Sequence, residues 1–312
     1  MELFLSNLIT AATNVAVLYI MVAVGYVSDK VGIFTEETAK KVVTFLLYVV
    51  ATCTLINSFI KIDATPDTVG KFFTAFGLAV ATHLIAIFIN IFTFRNKQDE
   101  KNPVYKFASI YGNVAFMALP LAQAVLGDEG VLYCAGGAVV FNLLTFTHGV
   151  KLMSRQGEKL SIKKVLINPG VIAVVVGLPI FLSGIEVPYL ISQPIESLAA
   201  LNSPVAMLVF GTYLSRTDLK SMLFDKKIYL TAIMKLLVLP LICIGVYYLC
   251  GLRGAVLTAA IITASVPSAN NTFMFSSIYG RDAATASKTV ALVSFISIIT
   301  MPVMIAITQL TW

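Results

Sequence analysis

The amino-acid sequence predicts an all-α integral membrane protein whose ten transmembrane helices form two inverted repeats of five. Three observations support this prediction. The 312-residue chain is 58% hydrophobic and only 12% charged, about half the charged fraction of an average soluble protein. Its apolar residues occur in runs of about twenty, the length that crosses a bilayer as a helix. Its Lys and Arg residues lie almost entirely in alternate connections between these runs, as in membrane proteins.

Ten segments are long and apolar enough to span a bilayer, and the connections between them are short. They cover residues 5–27, 38–60, 68–94, 104–126, 130–153, 168–185, 194–215, 228–250, 254–280 and 283–310. The longest connection, residues 154–167, lies near the midpoint of the chain. It separates a first repeat, residues 1–153, from a second repeat, residues 168–312, and we expect it to be a cytoplasmic linker.

The distribution of positive charge predicts the orientation. Of the 22 Lys and Arg residues, 18 lie in or beside the odd-numbered connections and 3 in or beside the even-numbered ones. Cytoplasmic connections carry such an excess, so both termini are predicted to face away from the cytoplasm. With five helices in each half, the second repeat is then inverted relative to the first, as in secondary transporters. The net charge of +6 therefore indicates the multi-pass pattern of a bacterial inner-membrane protein, and nucleic-acid binding is not expected.

Two segments, one in each repeat, combine polar residues with a proline near their middle. The fourth segment contains Asn113 and Pro120, and the ninth contains Pro267, Asn270 and Asn271. A proline inside a helix removes a backbone donor and clashes with the preceding turn, at about 3 kcal/mol. In a membrane such freed groups are tolerated only where protein or a watery cavity satisfies them. Paired interruptions in the two halves therefore predict a substrate site.

The polar side chains deep in the predicted helices are neutral, because no Asp or Glu lies in the middle of a segment. A buried carboxylate for cation coupling is therefore not expected, and its absence suits an anionic substrate. Asn14, Gln123 and Asn202 are interpreted as residues that hydrogen-bond between helices. The neighbours of the prolines are instead interpreted as ligands, helped by the positive N-terminal ends of the broken helices. The predicted substrate-binding set is Asn113, Pro120, Asn142, Pro267, Ser268, Asn270, Asn271 and Thr272.

The two histidines and Lys235 lie in or at the edge of a segment. His83 and His148 are candidate proton sites, although the sequence favours a structural hydrogen bond for each. Lys235 is expected to extend its ammonium to the cytoplasmic interface and not to bind substrate. The four cysteines lack metal-binding spacing and are expected to be buried apolar side chains. No phosphate loop, GxSxG or HExxH motif occurs, so we expect no catalytic residue, no metal and no cofactor, and transport without ATP.

Several short motifs occur in a characteristic order along nearly the whole chain. They are Gly112-Asn113-Val114-Ala115-Phe116-Met117-Ala118-Leu119-Pro120-Leu121, Gly127-Asp128-Glu129-Gly130, Phe141-Asn142-Leu143-Leu144, Asn168-Pro169-Gly170, the run from Ser203 to Gly211, Val266-Pro267 through Tyr279-Gly280, and Met301-Pro302. This ordered set resembles the auxin efflux carrier family, which includes plant auxin carriers and bacterial proteins named malate permeases.

The resemblance implies that helices 4 and 9 are broken and cross at prolines, in an architecture like that of bile acid sodium symporters and sodium/proton antiporters. It implies a scaffold part (helices 1, 2, 6 and 7) and a transport part (helices 3–5 and 8–10) that move in elevator fashion. It also implies a carboxylate site at the crossing, where Asn113 matches the family's helix-4 asparagine. The chain departs from the family at Ala51-Thr52-Cys53, where a proline is common, and at Lys235, where arginine is common.

The predicted function is secondary transport of a small organic anion, a carboxylate such as malate or an auxin-like acid, by alternating access. Two alternatives stay open: a symporter of another small solute coupled to Na+ or H+, and a membrane receptor or channel that does not transport. The expected partners are the organic anion, H+ or Na+ as a coupling ion and the lipid bilayer, with a homodimer left open.

Overall fold

Helices occupy all ten predicted segments in the computed structural model, which describes residues 2–61, 63–96, 98–154, 169–216 and 218–309. Beyond Ser154, the predicted linker lies outside the described residues. The helices are α1 (Glu2–Lys30), α2 (Glu36–Ile60), α3 (Pro66–Thr93), α4 (Asn102–Ile110), α5 (114–126), α6 (Glu129–Met153), α7 (Pro169–Ser183), α8 (Tyr189–Ser215), α9 (Lys226–Leu249), α10 (Gly254–Ser265), α11 (Asn271–Ile278) and α12 (Ala283–Gln309), with one turn at Leu219–Met222 before α9.

Several helices have the length and composition of membrane spans. Among the described residues six satisfy both conditions, namely α2, α3, α6, α8, α9 and α12. Many large apolar side chains on these helices are exposed, for example Leu84 and Phe88 on α3 and Ile299 on α12. In water such surfaces would be costly, whereas lipid tails solvate them. The all-helical, apolar architecture is that of an integral membrane protein.

Local sequence signals explain where the helices begin and end. Thr65 accepts a hydrogen bond from the Thr68 backbone N–H, the Thr68 hydroxyl accepts one from the Thr65 N–H, and Pro66 occupies the first turn of α3. This capping box satisfies backbone donors that a helix start leaves free. Gly127 separates α5 from α6 with a φ of 66°, a conformation that side chains with a Cβ rarely adopt.

Four helical turns are of the wide π type: Leu46–Val50, Val114–Ala118, Thr145–Gly149 and Met234–Val238. Two of them stand directly before a proline, Pro120 in α5 and Pro240 in α9. A wide turn is one way in which a helix accommodates the backbone hydrogen bond that proline cannot make. The turn in α2 ends just before Ala51-Thr52-Cys53, so a local widening of the helix occurs there without a proline.

The helices pack in two sets with a shared core. Helix α1 packs along α8, and α2 packs against α7 and α8; α3, α10 and α6 form a second group, with α9 to α12 adjoining it. The contact between α1 and α8 is made at glycines, since a Cβ at Gly25 would lie 2.2 Å from the Leu208 carbonyl oxygen and one at Gly211 would lie 2.1 Å from that of Val22. Small residues allow such close helix contacts in membranes.

The core is centred on the ends of the short helices α4 and α11. Its largest fully buried side chains include Tyr105, Phe107, Tyr111, Phe273 and Phe275. Buried aromatic rings at this density fix the positions of the interrupted segments. Of the cysteines, Cys134 and Cys243 are buried as expected, whereas Cys250 is exposed because it lies at the end of α9.

Candidate functional site

The two interrupted helices cross at a single antiparallel backbone bridge between Gly112 and Ser268. The Asn113 N–H donates to the Pro267 carbonyl oxygen at 2.8 Å, and the Ala269 N–H donates to that of Tyr111 at 2.9 Å. Each interruption thus supplies the hydrogen-bond partners that the other lacks. This mutual satisfaction permits non-helical backbone inside an apolar protein.

The first interruption lies elsewhere than predicted. Helix α4 ends at Ile110 and the wide turn of α5 starts at Val114, so the break is at Gly112 and its neighbours. Pro120 lies further along, inside the helix that follows. In the second helix the break includes Pro267, as expected, because α10 ends at Ser265 and α11 begins at Asn271. A glycine therefore opens the first helix and a proline opens the second.

Two cavities lie beside the crossing and share Asn113 and Asn270 as lining residues. The larger has a volume of about 30 Å³ and is lined by Leu46, Ala51, Thr54, Asn113, Phe141, Asn142, Asn202, Ala269, Asn270, Asn271 and Met274. The smaller has a volume of about 20 Å³ and is lined by Leu18, Tyr19, Val22, Asn113, Met117, Met207, Phe210, Asn270 and Ser294. We call them the asparagine cavity and the apolar cavity.

The asparagine cavity offers hydrogen-bond donors that the protein does not use. Asn270 is 6% exposed, and its Nδ2 is buried without a hydrogen-bond partner among the described residues. The backbone N–H groups of Asn270 and Asn271 donate to no carbonyl of the described chain. The Asn113 side chain likewise forms no hydrogen bond within it. A buried donor left unpaired costs about 1–3 kcal/mol, so these groups indicate a ligand that accepts hydrogen bonds.

The other predicted ligands have different positions. Asn142 lines the asparagine cavity but donates from Nδ2 to the Ala138 carbonyl of its own helix at 2.8 Å. Ser268 is fully buried, and its hydroxyl donates to the Ala108 carbonyl at 2.8 Å. Pro267 contributes its carbonyl to the bridge. Thr272 is fully buried, and its Oγ1 has no partner among the described residues. None of Pro267, Ser268 and Thr272 lines either cavity.

The histidines lie at different depths. His83 is buried, and its Nδ1 lies 2.8 Å from the Ala79 carbonyl oxygen of the same helix, so Nδ1 carries the proton of this hydrogen bond. His148 is half-buried, with Nδ1 2.8 Å from the Tyr111 hydroxyl. The Tyr111 hydroxyl also donates to the Leu144 carbonyl at 3.0 Å. Tyr111 therefore links His148 directly to the crossing.

The prediction that Lys235 reaches the cytoplasmic interface is wrong. Its side chain is only 2% exposed, and Nζ donates to the Ala264 carbonyl oxygen at 3.2 Å. It lies in the wide turn of α9 and points to the end of α10, beside Gly112. The helix packing of α9 against α10 places the ammonium at the crossing.

The crossing contains no buried carboxylate within the part of the chain that the structure describes. The one buried acid among the described residues is Asp29, at the end of α1 and away from the crossing. It accepts a hydrogen bond from the Arg216 guanidinium at 2.8 Å. No group of three His, Cys, Asp or Glu side chains suited to a metal ion occurs among those residues. The positive N-terminal ends of α5 and α11 therefore face the cavities without an acidic side chain to offset them.

An apolar, all-helical chain whose broken helices enclose polar cavities has the architecture of a membrane transporter. The chain belongs to the membrane transport protein family, that of the auxin efflux carriers, whose model matches residues 10–305. It is 25% identical over 280 residues to an uncharacterized transporter of Methanocaldococcus jannaschii, covering 86% of this chain and 89% of that protein. It is 23% identical over 302 residues to a Rhizobium meliloti protein named "Putative malonate transporter", covering 90% of each.

Sequence reasoning missed three residues at this site. Asn202 was interpreted as a helix contact but lines the asparagine cavity. Tyr111 drew no attention as an aromatic residue in an apolar run, although it directly precedes Gly112. Lys235 was the Lys or Arg residue farthest from the ends of a predicted segment, and that depth was the available signal, because an intramembrane charge marks a functional position by default.

Proposed function

We propose that this transporter carries a small organic anion with at least one carboxylate, and that the anion binds in the asparagine cavity. The observation that carries the proposal is the buried, unpaired Nδ2 of Asn270 in a cavity whose lining, as far as the structure describes it, includes no acidic residue. A carboxylate accepts several hydrogen bonds and donates none. It would pair with this amide, with Asn113 and with the free backbone N–H groups at the start of α11.

The charge distribution also favours an anion. Helix N-termini carry roughly half a positive charge, and those of α5 and α11 lie at the crossing. A cation would meet neutral oxygens from the described lining, such as the amides and the Thr54 hydroxyl, whereas coupling cations in membranes are commonly held by a buried carboxylate. Among substrates, a short dicarboxylate is the first to test, because one relative is named as a malonate transporter and malate has a similar size.

The transport mechanism that we propose is elevator-type alternating access in the cell membrane, with both termini outside the cytoplasm. The ten helices would form two inverted repeats, residues 1–153 and 168–312, joined by the 154–167 linker. The packing supports this division, since α8 packs along α1 and against α2, and α2 packs against α7. Helix α1 also packs against α12 of the other set. Both cavities lie between the two sets, where relative movement would carry a bound anion across.

Counterflow in proteoliposomes tests the proposal. Liposomes loaded with unlabelled malonate should accumulate radiolabelled malonate or malate, and Asn113→Ala should slow uptake by about tenfold or more because a hydrogen bond to a charged group contributes about 1.5–3 kcal/mol. Asn90→Ala is the matched control, since Asn90 is a buried asparagine that bonds within α3 and lines neither cavity. Absence of counterflow for every carboxylate, or full activity of Asn113→Ala, would contradict the proposal.

Proton coupling through His148 is a second candidate that one contact favours. The side chain of Tyr111 hydrogen-bonds His148, and its backbone carbonyl accepts a hydrogen bond from the Ala269 N–H at the crossing. Protonation of the imidazole would change the donor and acceptor roles in this link. His83, buried against its own helix, is the less suitable proton site. A pH gradient should then drive uptake in the wild type and fail to do so in His148→Gln, while Na+ has no effect.

A further inference from the structure

Lys235 is the one Lys or Arg side chain that is buried among the described residues. Its helix α9 is otherwise apolar along the middle, and no carboxylate of the described chain forms an ion pair with it. An ammonium in such a place is retained only where other groups replace its water. The role of Lys235 follows from the groups that replace this water.

The groups that surround the ammonium are the C-terminal ends of the two broken half-helices. Nζ donates to the Ala264 carbonyl oxygen at 3.2 Å, one residue before the end of α10. It also lies beside Gly112, two residues after the end of α4. Each C-terminal end carries roughly half a negative charge and unpaired carbonyl groups. Lys235 thus compensates both negative ends with a single positive charge.

The backbone is shaped to admit this side chain. A Cβ at position 112 would lie 2.9 Å from Nζ and 3.2 Å from Cε of Lys235. A side chain at this position would displace the ammonium from its place beside the bridge. Gly112 directly precedes Asn113, which lines both cavities. The ammonium therefore lies one residue away from Asn113, a proposed substrate-binding residue, and a shift of Gly112 would move Asn113.

The N-terminal ends have no matching compensation. With Lys235 offsetting the C-terminal ends, and no buried acid at the crossing among the described residues, the positive N-terminal ends stay available to a ligand. We propose that Lys235 is a positioning residue, a fixed cation that holds the two half-helix C-termini together and gives the asparagine cavity its preference for anions. It lines neither cavity, so it acts through Gly112 and through its field.

This inference rests on the proposed anion site, and charge-changing variants test it. Lys235→Met and Lys235→Gln remove the charge, Lys235→Arg keeps it, and Lys226→Met is the matched control, an exposed lysine on the same helix. As a general estimate, a unit charge acting over about 10 Å at an effective dielectric constant of about 20 changes affinity by about tenfold. Lys235→Met and Lys235→Gln should therefore raise the KM for malonate counterflow by about that factor, with a smaller change in maximal rate.

Lys235→Arg should restore a KM close to that of the wild type, and Lys226→Met should leave it unchanged. A purely structural role would lower the yield of folded protein or the maximal rate without a charge-dependent KM. An unchanged KM in Lys235→Met overturns the inference. If the uncharged variants do not fold while Lys235→Arg does, the positioning role is supported; equal loss of all three overturns it, because shape and not charge is then required.

Failure of the proposed function gives a different result. If wild-type protein shows no counterflow of any carboxylate, the anion assignment is lost for all variants alike. Thermal unfolding of the same set in detergent then decides the role of the charge at the crossing. Lys235→Arg should unfold near the wild-type temperature and Lys235→Met clearly below it, whereas equal stability would remove the positioning role as well.

Discussion

The two broken helices differ in how they reach the same crossing. The first is opened by Gly112 over a short break, and its proline follows later, inside the continuing helix. The second is opened around Pro267, and a short helix of eight residues, Asn271–Ile278, follows. The first contributes one asparagine to the cavities, Asn113, while the second contributes Asn270 and Asn271.

This difference indicates that the two breaks have different roles, although they are similar in structure. The first break provides a bare backbone that the Lys235 ammonium can approach. The second provides most of the hydrogen-bond donors and, through the Ser268 hydroxyl, a tie to α4. Pairing between the breaks constrains only the backbone, so the side chains at each break are free to specialise. Substitutions in the two breaks should therefore have unequal effects.

The largest difference in malonate counterflow is expected between Asn270→Asp and Asn113→Asp. Each change places a carboxylate at the cavities, but the Asn270 amide is the buried donor without a partner. Losing that donor and adding repulsion should lower malonate counterflow by roughly a hundredfold, against about tenfold for Asn113→Asp. Initial rates in proteoliposomes measure both. Asn96→Asp, on an exposed loop, is the isosteric control, and equal losses at positions 113 and 270 would argue against specialised breaks.

The next effect concerns stability, through Gly112→Ala and Ser268→Ala at the two ends of the bridge. A Cβ at position 112 would lie 2.6 Å from the Val266 Cγ2 and crowd Lys235, and overpacking of this kind costs about 1–3 kcal/mol. Ser268→Ala removes one hydrogen bond, worth about 1 kcal/mol. Thermal unfolding in detergent should therefore show the lower Tm for Gly112→Ala. Combining Gly112→Ala with Val266→Ala should recover part of the loss, and no recovery would refute the steric explanation.

A smaller effect distinguishes the prolines. Pro267 restricts Val266 to its extended conformation, with ψ at 147°, because a residue before proline avoids the helical region. Pro267→Ala should loosen the break at about 0.4–1 kcal/mol and slow transport a few-fold. Pro120→Ala should transport like the wild type, since Pro120 lies in helix beyond the break. If Pro120→Ala slowed transport more than Pro267→Ala, Pro120 and not Gly112 would be the residue that shapes the first break.

The smallest expected effect is on stability and concerns the ion pair beside the start of the first half-helix, α4. The Lys227 ammonium beside Asp99 holds the pKa of that carboxyl below its ordinary value, whereas at the second half-helix the Arg253 guanidinium stacks on Tyr248 at 3.4 Å. A depressed folded-state pKa stabilises the protein above the unfolded value near 3.9, and this stability is lost as the pH falls through the folded value. The Tm of Asp99→Asn should approach that of the wild type as the pH drops from 6 to about 3. A Tm difference that does not change with pH would exclude the ion pair as the cause.

Much of this protein is determined by the sequence alone. Apolar runs of bilayer length gave helices at all ten predicted segments, because in an apolar solvent the backbone must satisfy itself locally. The short motifs around Gly112 and Pro267 indicated the family that the chain comparisons confirm. They also pointed to the asparagines that line the cavities, because an amide beside an interrupted helix has few other uses.

The tertiary structure decided what depends on residues far apart in the chain. Lys235 has the sequence context of a residue that reaches water, and only the packing of α9 against α10 buries it at the crossing. Pro120 and Pro267 look equivalent in sequence, yet the first break lies at Gly112, where the backbone pairs with Ser268. Local sequence sets which backbone groups are freed, whereas the identity of the group that satisfies them is a property of the folded chain.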